Sequence, residues 1–134
     1  MRDFRSILNI LGLLLCIESL AMMIPMLFDL FHNNQDWKQF FYSSILIFFL
    51  GLVLFISFKK EKLKIGLRQA FLLTVASWFL ISLFGAIPFV YSSSELSYTD
   101  AFFESVSGIT TTGATVITEL DKLTEGILIW RSLL

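Results

Sequence analysis

Residues 97–116 read Ser97-Tyr98-Thr99-Asp100-Ala101-Phe102-Phe103-Glu104-Ser105-Val106-Ser107-Gly108-Ile109-Thr110-Thr111-Thr112-Gly113-Ala114-Thr115-Val116. The stretch is too polar to span a bilayer and too apolar for an ordinary surface loop. Ser97 or Thr99 can cap a helix N-terminus, and Asp100 follows Ser97 at the spacing of a capping box. Asp100 and Glu104 then sit toward the positive end of the helix dipole. The pattern predicts a helix over about residues 98–107, roughly 15 Å long and thus half of a hydrocarbon core. Gly108 is expected to end it in the left-handed conformation. Residues 109–116, in extended form, cover roughly 25 Å. That is enough to climb back to the side of entry, so the segment reads as re-entrant.

The surroundings are membranous. Hydrophobic residues make up 56% of the chain and charged ones 16%, against about a quarter charged in soluble domains. A net charge of −1 offers no basic surface for nucleic acid. Three segments reach the length of about 20 residues needed to cross a bilayer: 6–28, 39–58 and 69–91. A fourth starts near Gly126 and runs to Leu134, about half a crossing. Leu133 and Leu134 carry no helix-stop signal, so the chain reads as the N-terminal part of a longer protein. The apolar run after Arg2 and Arg5 outlasts a signal-peptide core, so it reads as a retained first span.

Charge placement orients the spans. The connection 59–68 holds Lys59, Lys60, Lys62, Lys64 and Arg68, five of the ten basic residues. The positive-inside rule therefore places it, and the N-terminus, in the cytoplasm. The re-entrant segment then enters from outside. Trp37, Tyr42, Tyr91 and Tyr98 lie near span ends, as interfacial aromatics do. The basic connection reads chiefly as a topology determinant, with docking of anionic lipid or a cytosolic partner as a second role. Cys16 reads as a small buried or lipid-facing residue, and His32 as part of a solvated loop. Glu18 is an acid inside a span, expensive there and a functional candidate by default. A buried partner on a further span is its expected company. One His, one Cys and scattered acids build no catalytic set, cofactor site or metal-ligand cluster, so no enzyme is expected.

Non-helical backbone at mid-membrane depth persists only when buried in protein or lining an aqueous path. Its carbonyls need partners, and partly dehydrated cations can be those partners. Thr110, Thr111 and Thr112 favour extended backbone and add hydroxyl oxygens. Gly113 gives freedom to aim a carbonyl. A helix C-terminus near Ser107 favours positive charge beyond it. No Lys or Arg lies between Arg68 and Lys122, which argues against an anion path. The residues themselves point to a monovalent cation, with a non-conducting membrane scaffold as the alternative.

The run from Asp100 to Val116 resembles the first pore loop of bacterial Trk-type potassium uptake proteins, the TrkH-like members of the Trk/Ktr/HKT superfamily. Ile109 departs from the aromatic often found at its place. The resemblance implies an all-α integral membrane fold. Two leading transmembrane helices with their basic connection fill 1–68. The first repeat fills 69–134: span 69–91, pore helix about 98–107, filter 109–116 and the start of the next span at about 126–134. It also implies potassium as the transported ion in a bacterial inner membrane. Thr110, Thr111, Thr112 and Gly113 would supply the filter's backbone oxygens, one quarter of a ring completed by three later repeats. A cytosolic nucleotide-binding regulatory subunit and a homodimer of the full-length protein are implied as partners. One pore loop is a quarter of a filter, so these 134 residues alone are not expected to transport.

Overall fold

The structure, a computed structural model, describes residues 3–58, 66–94, 96–118 and 120–134. Most of the basic connection, including its four lysines, lies outside the described residues. All regular structure among the described residues is helical. The order is α1 (Asp3–Ala21), α2 (Met23–Phe31), α3 (Trp37–Ser57), α4 (Leu67–Gly85), α5 (Ile87–Tyr91), α6 (Tyr98–Ile109), a 3-10 turn at Leu120–Lys122, and α7 (Glu125–Leu133).

Among the described residues, three spans are long and apolar enough to cross a membrane: Phe4–Phe31, Trp37–Ser57 and Leu67–Tyr91. Two of them are broken, each by a proline. Pro25 has no N–H for the carbonyl of Ala21, and Pro88 has none for that of Phe84; each ring also crowds that carbonyl. The breaks accordingly fall at Met22 and Ala86. The hydrogen bonds on either side survive, from Met22 N to Glu18 O and from Met26 N to Met22 O. The first span therefore bends rather than ends.

α1 and α3 pack backbone to backbone. A Cβ placed on Gly12 would lie 2.6 Å from Phe55 N, and one on Gly51 would lie 2.8 Å from Gly12 O. Small residues permit such approach between membrane helices. Asn9 Nδ2 donates to Phe55 O at 2.6 Å across the same contact. Phe49 and Ile56 on α3, and Phe71 and Phe79 on α4, point outward and are exposed, as apolar side chains facing lipid are. The core gathers instead where α2, α3, α5, α6 and α7 meet, around Met26, Phe40, Phe89, Ala101, Ile127 and Trp130. Phe40 and Trp130 pack edge to face with ring centroids 6.3 Å apart.

One end of the bundle collects three connections: α2–α3, α5–α6 and the segment leading into α7. Asp36 ties them together. Its carboxylate accepts hydrogen bonds from Ser93 N at 3.1 Å, Ser93 Oγ at 2.6 Å and Thr124 Oγ1 at 2.9 Å. The other side chain that fixes this end is Asp29, described with α7 below.

Candidate functional site

α6 begins as its sequence predicts. Ser97 is the N-cap, and its Oγ accepts from Asp100 N at 3.2 Å. The reciprocal half of the capping box differs: the Asp100 carboxylate accepts from the Ser97 hydroxyl, at 2.7 Å. The helix ends later than its sequence predicts. Gly108 stays helical, and α6 continues to Ile109. The left-handed residues are Thr111, with φ +53°, and Gly113, with φ +73°.

The reason is local. Thr110 Oγ1 turns back to donate to Val106 O at 2.7 Å, beside the Thr110 N–H that reaches the same carbonyl at 2.9 Å. This extends the last turn through Thr110. Thr111 N then reaches Gly108 O at 2.9 Å, and Thr112 N reaches Ser107 O at 3.0 Å. The chain turns on these two bonds, and irregular, non-helical backbone starts at about Thr112 rather than at Ile109. Gly108 is a glycine for packing instead: an added Cβ would lie 2.9 Å from Leu134 Cβ.

The return strand runs antiparallel to α6 and is pinned to it by side chains. Ser107 Oγ donates to Ala114 O at 2.7 Å. Glu104 Oε1 accepts from Thr115 Oγ1 at 2.5 Å and from Val116 N at 2.6 Å. Its other oxygen, Oε2, takes the Arg131 Nε–H at 3.0 Å. Glu104 is thus a buried strut joining α6, the return strand and α7, and the charge-assisted bonds make it a strong one. Sequence reading assigned Glu104 only to the helix dipole and left Arg131 unassigned. Counting charges along the chain also missed that α7 carries Arg131 to the tip of α6. Pairing with Glu104 offsets part of that positive charge.

α7 is held by a borrowed cap. Thr124 occupies its N-cap position but makes no side-chain cap; its hydroxyl goes to Asp36. Asp29 Oδ1, from α2, takes the free Gly126 N–H at 2.9 Å. A carboxylate there also faces the positive helix end. A Cβ on Gly126 would collide with the Asp29 carboxylate, so glycine is required. Asn34 Nδ2 bridges Asp29 Oδ1 at 3.1 Å and Glu125 Oε2 at 2.7 Å. That amide holds the Glu125 carboxyl below its ordinary range. Deeper down, Trp130 Nε1 donates to Gly85 O at 2.9 Å. Phe89 N bonds Ala86 O at the Pro88 break, so Gly85 O lacks its helical donor and the indole supplies one.

The four predicted coordinating residues lie together at the tip of the hairpin. Thr111, Thr112 and Gly113 are exposed, and Thr110 is half-buried. A Cβ on Gly113 would meet no atom. Thr110 and Thr112 join their hydroxyls at 2.8 Å. Among the described residues, no hydrogen bond ends on the carbonyls of Thr110, Thr111, Thr112 or Gly113, whereas the next one, Ala114 O, is taken by Ser107. A cavity of about 280 Å³ opens beside them, lined by Ser107, Gly108, Thr111, Gly113, Arg131 and Ser132. The described residues hold no cluster of His, Cys, Asp and Glu suited to a metal ion. Any ion here would be held by backbone and hydroxyl oxygens.

Known proteins give this arrangement its context. Residues 36–134 match the TrkH family, described as cation transport protein. The chain is 40% identical over 132 residues to the Trk system potassium uptake protein TrkH of Escherichia coli strain K12, covering 98% of this chain and 27% of that protein. It is 36% identical over 129 residues to TrkG of the same strain, covering 96% and 27%. The crystal structure of the potassium transporter TrkH from Vibrio parahaemolyticus superposes with a TM-score of 0.90 at 38% identity, over 96% of this chain and 28% of that one. The chain thus spans little more than a quarter of the length of the relatives it matches, and it belongs to the TrkH family of cation transport proteins.

Proposed function

We propose that this chain supplies the first of four pore loops of a potassium uptake protein. The backbone oxygens of Thr110, Thr111, Thr112 and Gly113 form one quarter of the selectivity filter. One observation carries the reading: four successive carbonyls at the tip of a pore-helix hairpin accept no hydrogen bond among the described residues, although the flanking backbone is pinned on both sides. Carbonyls left without donors at membrane depth suit a dehydrated cation.

In this reading the site enters from the outer face, and the N-terminus and basic connection are cytoplasmic, as the positive-inside rule requires. The membrane is a bacterial inner membrane, as the family resemblance implies. Three further repeats complete the ring, a second copy completes a dimer, and a cytosolic nucleotide-binding subunit regulates it; these rest on the family resemblance.

The test is a graft. This segment replaces the matching residues of the Escherichia coli relative, and the hybrid is expressed in a host lacking potassium uptake. Growth at limiting potassium, abolished when the hybrid's Glu104 is replaced by Ala, supports the reading. A well-expressed, membrane-inserted hybrid that never restores growth favours the non-conducting scaffold.

A further inference from the structure

Behind the pore helix, on the side away from the return strand, two polar side chains are buried without partners. Both oxygens of Glu18 and the hydroxyl of Ser105 make no hydrogen bond. Glu18 is 6% exposed and Ser105 0%. They come from different parts of the fold, Glu18 from α1 and Ser105 from α6. Gly85, at the Pro88 break, lets them approach: a Cβ there would lie 2.8 Å from Ser105 Oγ and 3.2 Å from Glu18 Oε1. The two oxygens thus lie no more than about 6 Å apart and make no direct bond, a gap of the size one water can bridge.

Among the described residues, no charged side chain is placed to neutralise Glu18. α3 carries none between Lys38 and Phe58, and α4 and α5 none between Arg68 and Tyr91. On α2 the acid is Asp29, about three turns further on and committed to α7. α6 offers Glu104, already paired with Arg131. α7 contributes Leu134 at this point. α1 itself has only Asp3 and Arg5, at its far end. An ionised carboxylate so enclosed costs several kcal/mol, whereas a neutral one needs only a donor and acceptor.

We propose that Glu18, Ser105 and one buried water form a proton-holding site that links the leading helix to the back of the pore helix. The protonated Glu18 donates to the water, and the water donates to Ser105 Oγ. Glu18 is a positioning residue for α6. The inference stands on burial and geometry and does not depend on the filter reading.

Difference infrared spectroscopy of the hybrid transporter, in bilayers and in heavy water, reads it directly. Glu18→Gln is expected to remove one protonated-carboxyl band that persists from mildly acidic to mildly alkaline buffer. Ser105→Ala is expected to move that band without removing it. Glu18→Gln should keep uptake within about twofold, because the amide can replace a neutral acid's hydrogen bonds. A spectrum in which Glu18→Gln removes only an ionised-carboxylate band overturns the proposal. A band that Ser105→Ala leaves in place overturns the link to α6.

Discussion

The contact between α1 and α3 and the contact between α6, its return strand and α7 lie in one membrane and are held by opposite means. The first uses two glycines, Gly12 and Gly51, at the closest approach of two backbones, with a single polar bond from Asn9. The second uses ionised or strongly polar groups: Glu104 on three partners, Ser107 on Ala114 O, and Asp29 on the start of α7. The difference follows from what each must hold. Two regular helices satisfy their own backbone, so close packing is enough. A turn and an extended strand do not, so every fixed carbonyl or amide needs a side chain, and those left open become available to an ion. In this chain polar scaffolding marks irregular backbone, and irregular backbone marks the site.

The sharpest way to break this contrast is to remove the strut. Glu104→Ala leaves the partly buried Arg131 unpaired and frees the strand at two points. It should cost about 3 kcal/mol and abolish potassium uptake by the hybrid, measured by thermal unfolding in detergent and by rubidium flux. Gly12→Leu attacks the other contact. Overpacking there should cost about 1–3 kcal/mol, while whatever protein assembles keeps its ion selectivity. Altered selectivity would show that the two regions are not separable. Trp130→Phe strips the donor from Gly85 O and keeps the ring packing. A loss of about 1–2 kcal/mol is expected, with melting temperature as the readout.

Smaller effects sharpen the picture. Ser97→Ala removes the cap of α6 and should cost about 1 kcal/mol, seen as a modest fall in melting temperature with the filter intact. Thr111→Gly works in the other direction. A β-branched residue at φ +53° holds strain on the order of 1 kcal/mol, so the glycine should raise thermal stability while loosening the turn. A lowered melting temperature would mean that the threonine side chain earns its place by contacts rather than by function.

Much of the fold was legible because its signals are local. Three apolar runs gave the three spans, and Ser97 with Asp100 gave the start of α6. The re-entrant reading came from length and polarity, both visible in the letters. The end of α6 was not, because Gly108 carries the same residue type for a turn or for a tight contact, and only Leu134 packing against it decides. Pro25 and Pro88 mark kinks in principle, but whether a proline bends or ends a membrane helix depends on neighbours such as Met22 and Trp130. Glu104, Asp29 and Arg131 were illegible as a set because Glu104 and Arg131 lie 27 residues apart in sequence, and Asp29 and the Gly126 it caps lie 97 apart. One signal was available: acids near apolar segments are expensive, and Asp29 and Glu104 could have been flagged as Glu18 was.

The central claim is that Gly113 is an open position whose backbone, not its side chain, serves the ion. At φ +73°, with no atom near a would-be Cβ, Gly113→Ser can act only by biasing the backbone. The direct measurement is the potassium-to-sodium permeability ratio of the hybrid transporter with and without this change. The ratio should fall about tenfold or more, a cost of roughly 1.4 kcal/mol in discrimination, while stability falls by only about 1 kcal/mol, the strain of a side chain at positive φ. An unchanged ratio in a folded, conducting protein would contradict the assignment of Thr110 to Gly113 as the coordinating backbone.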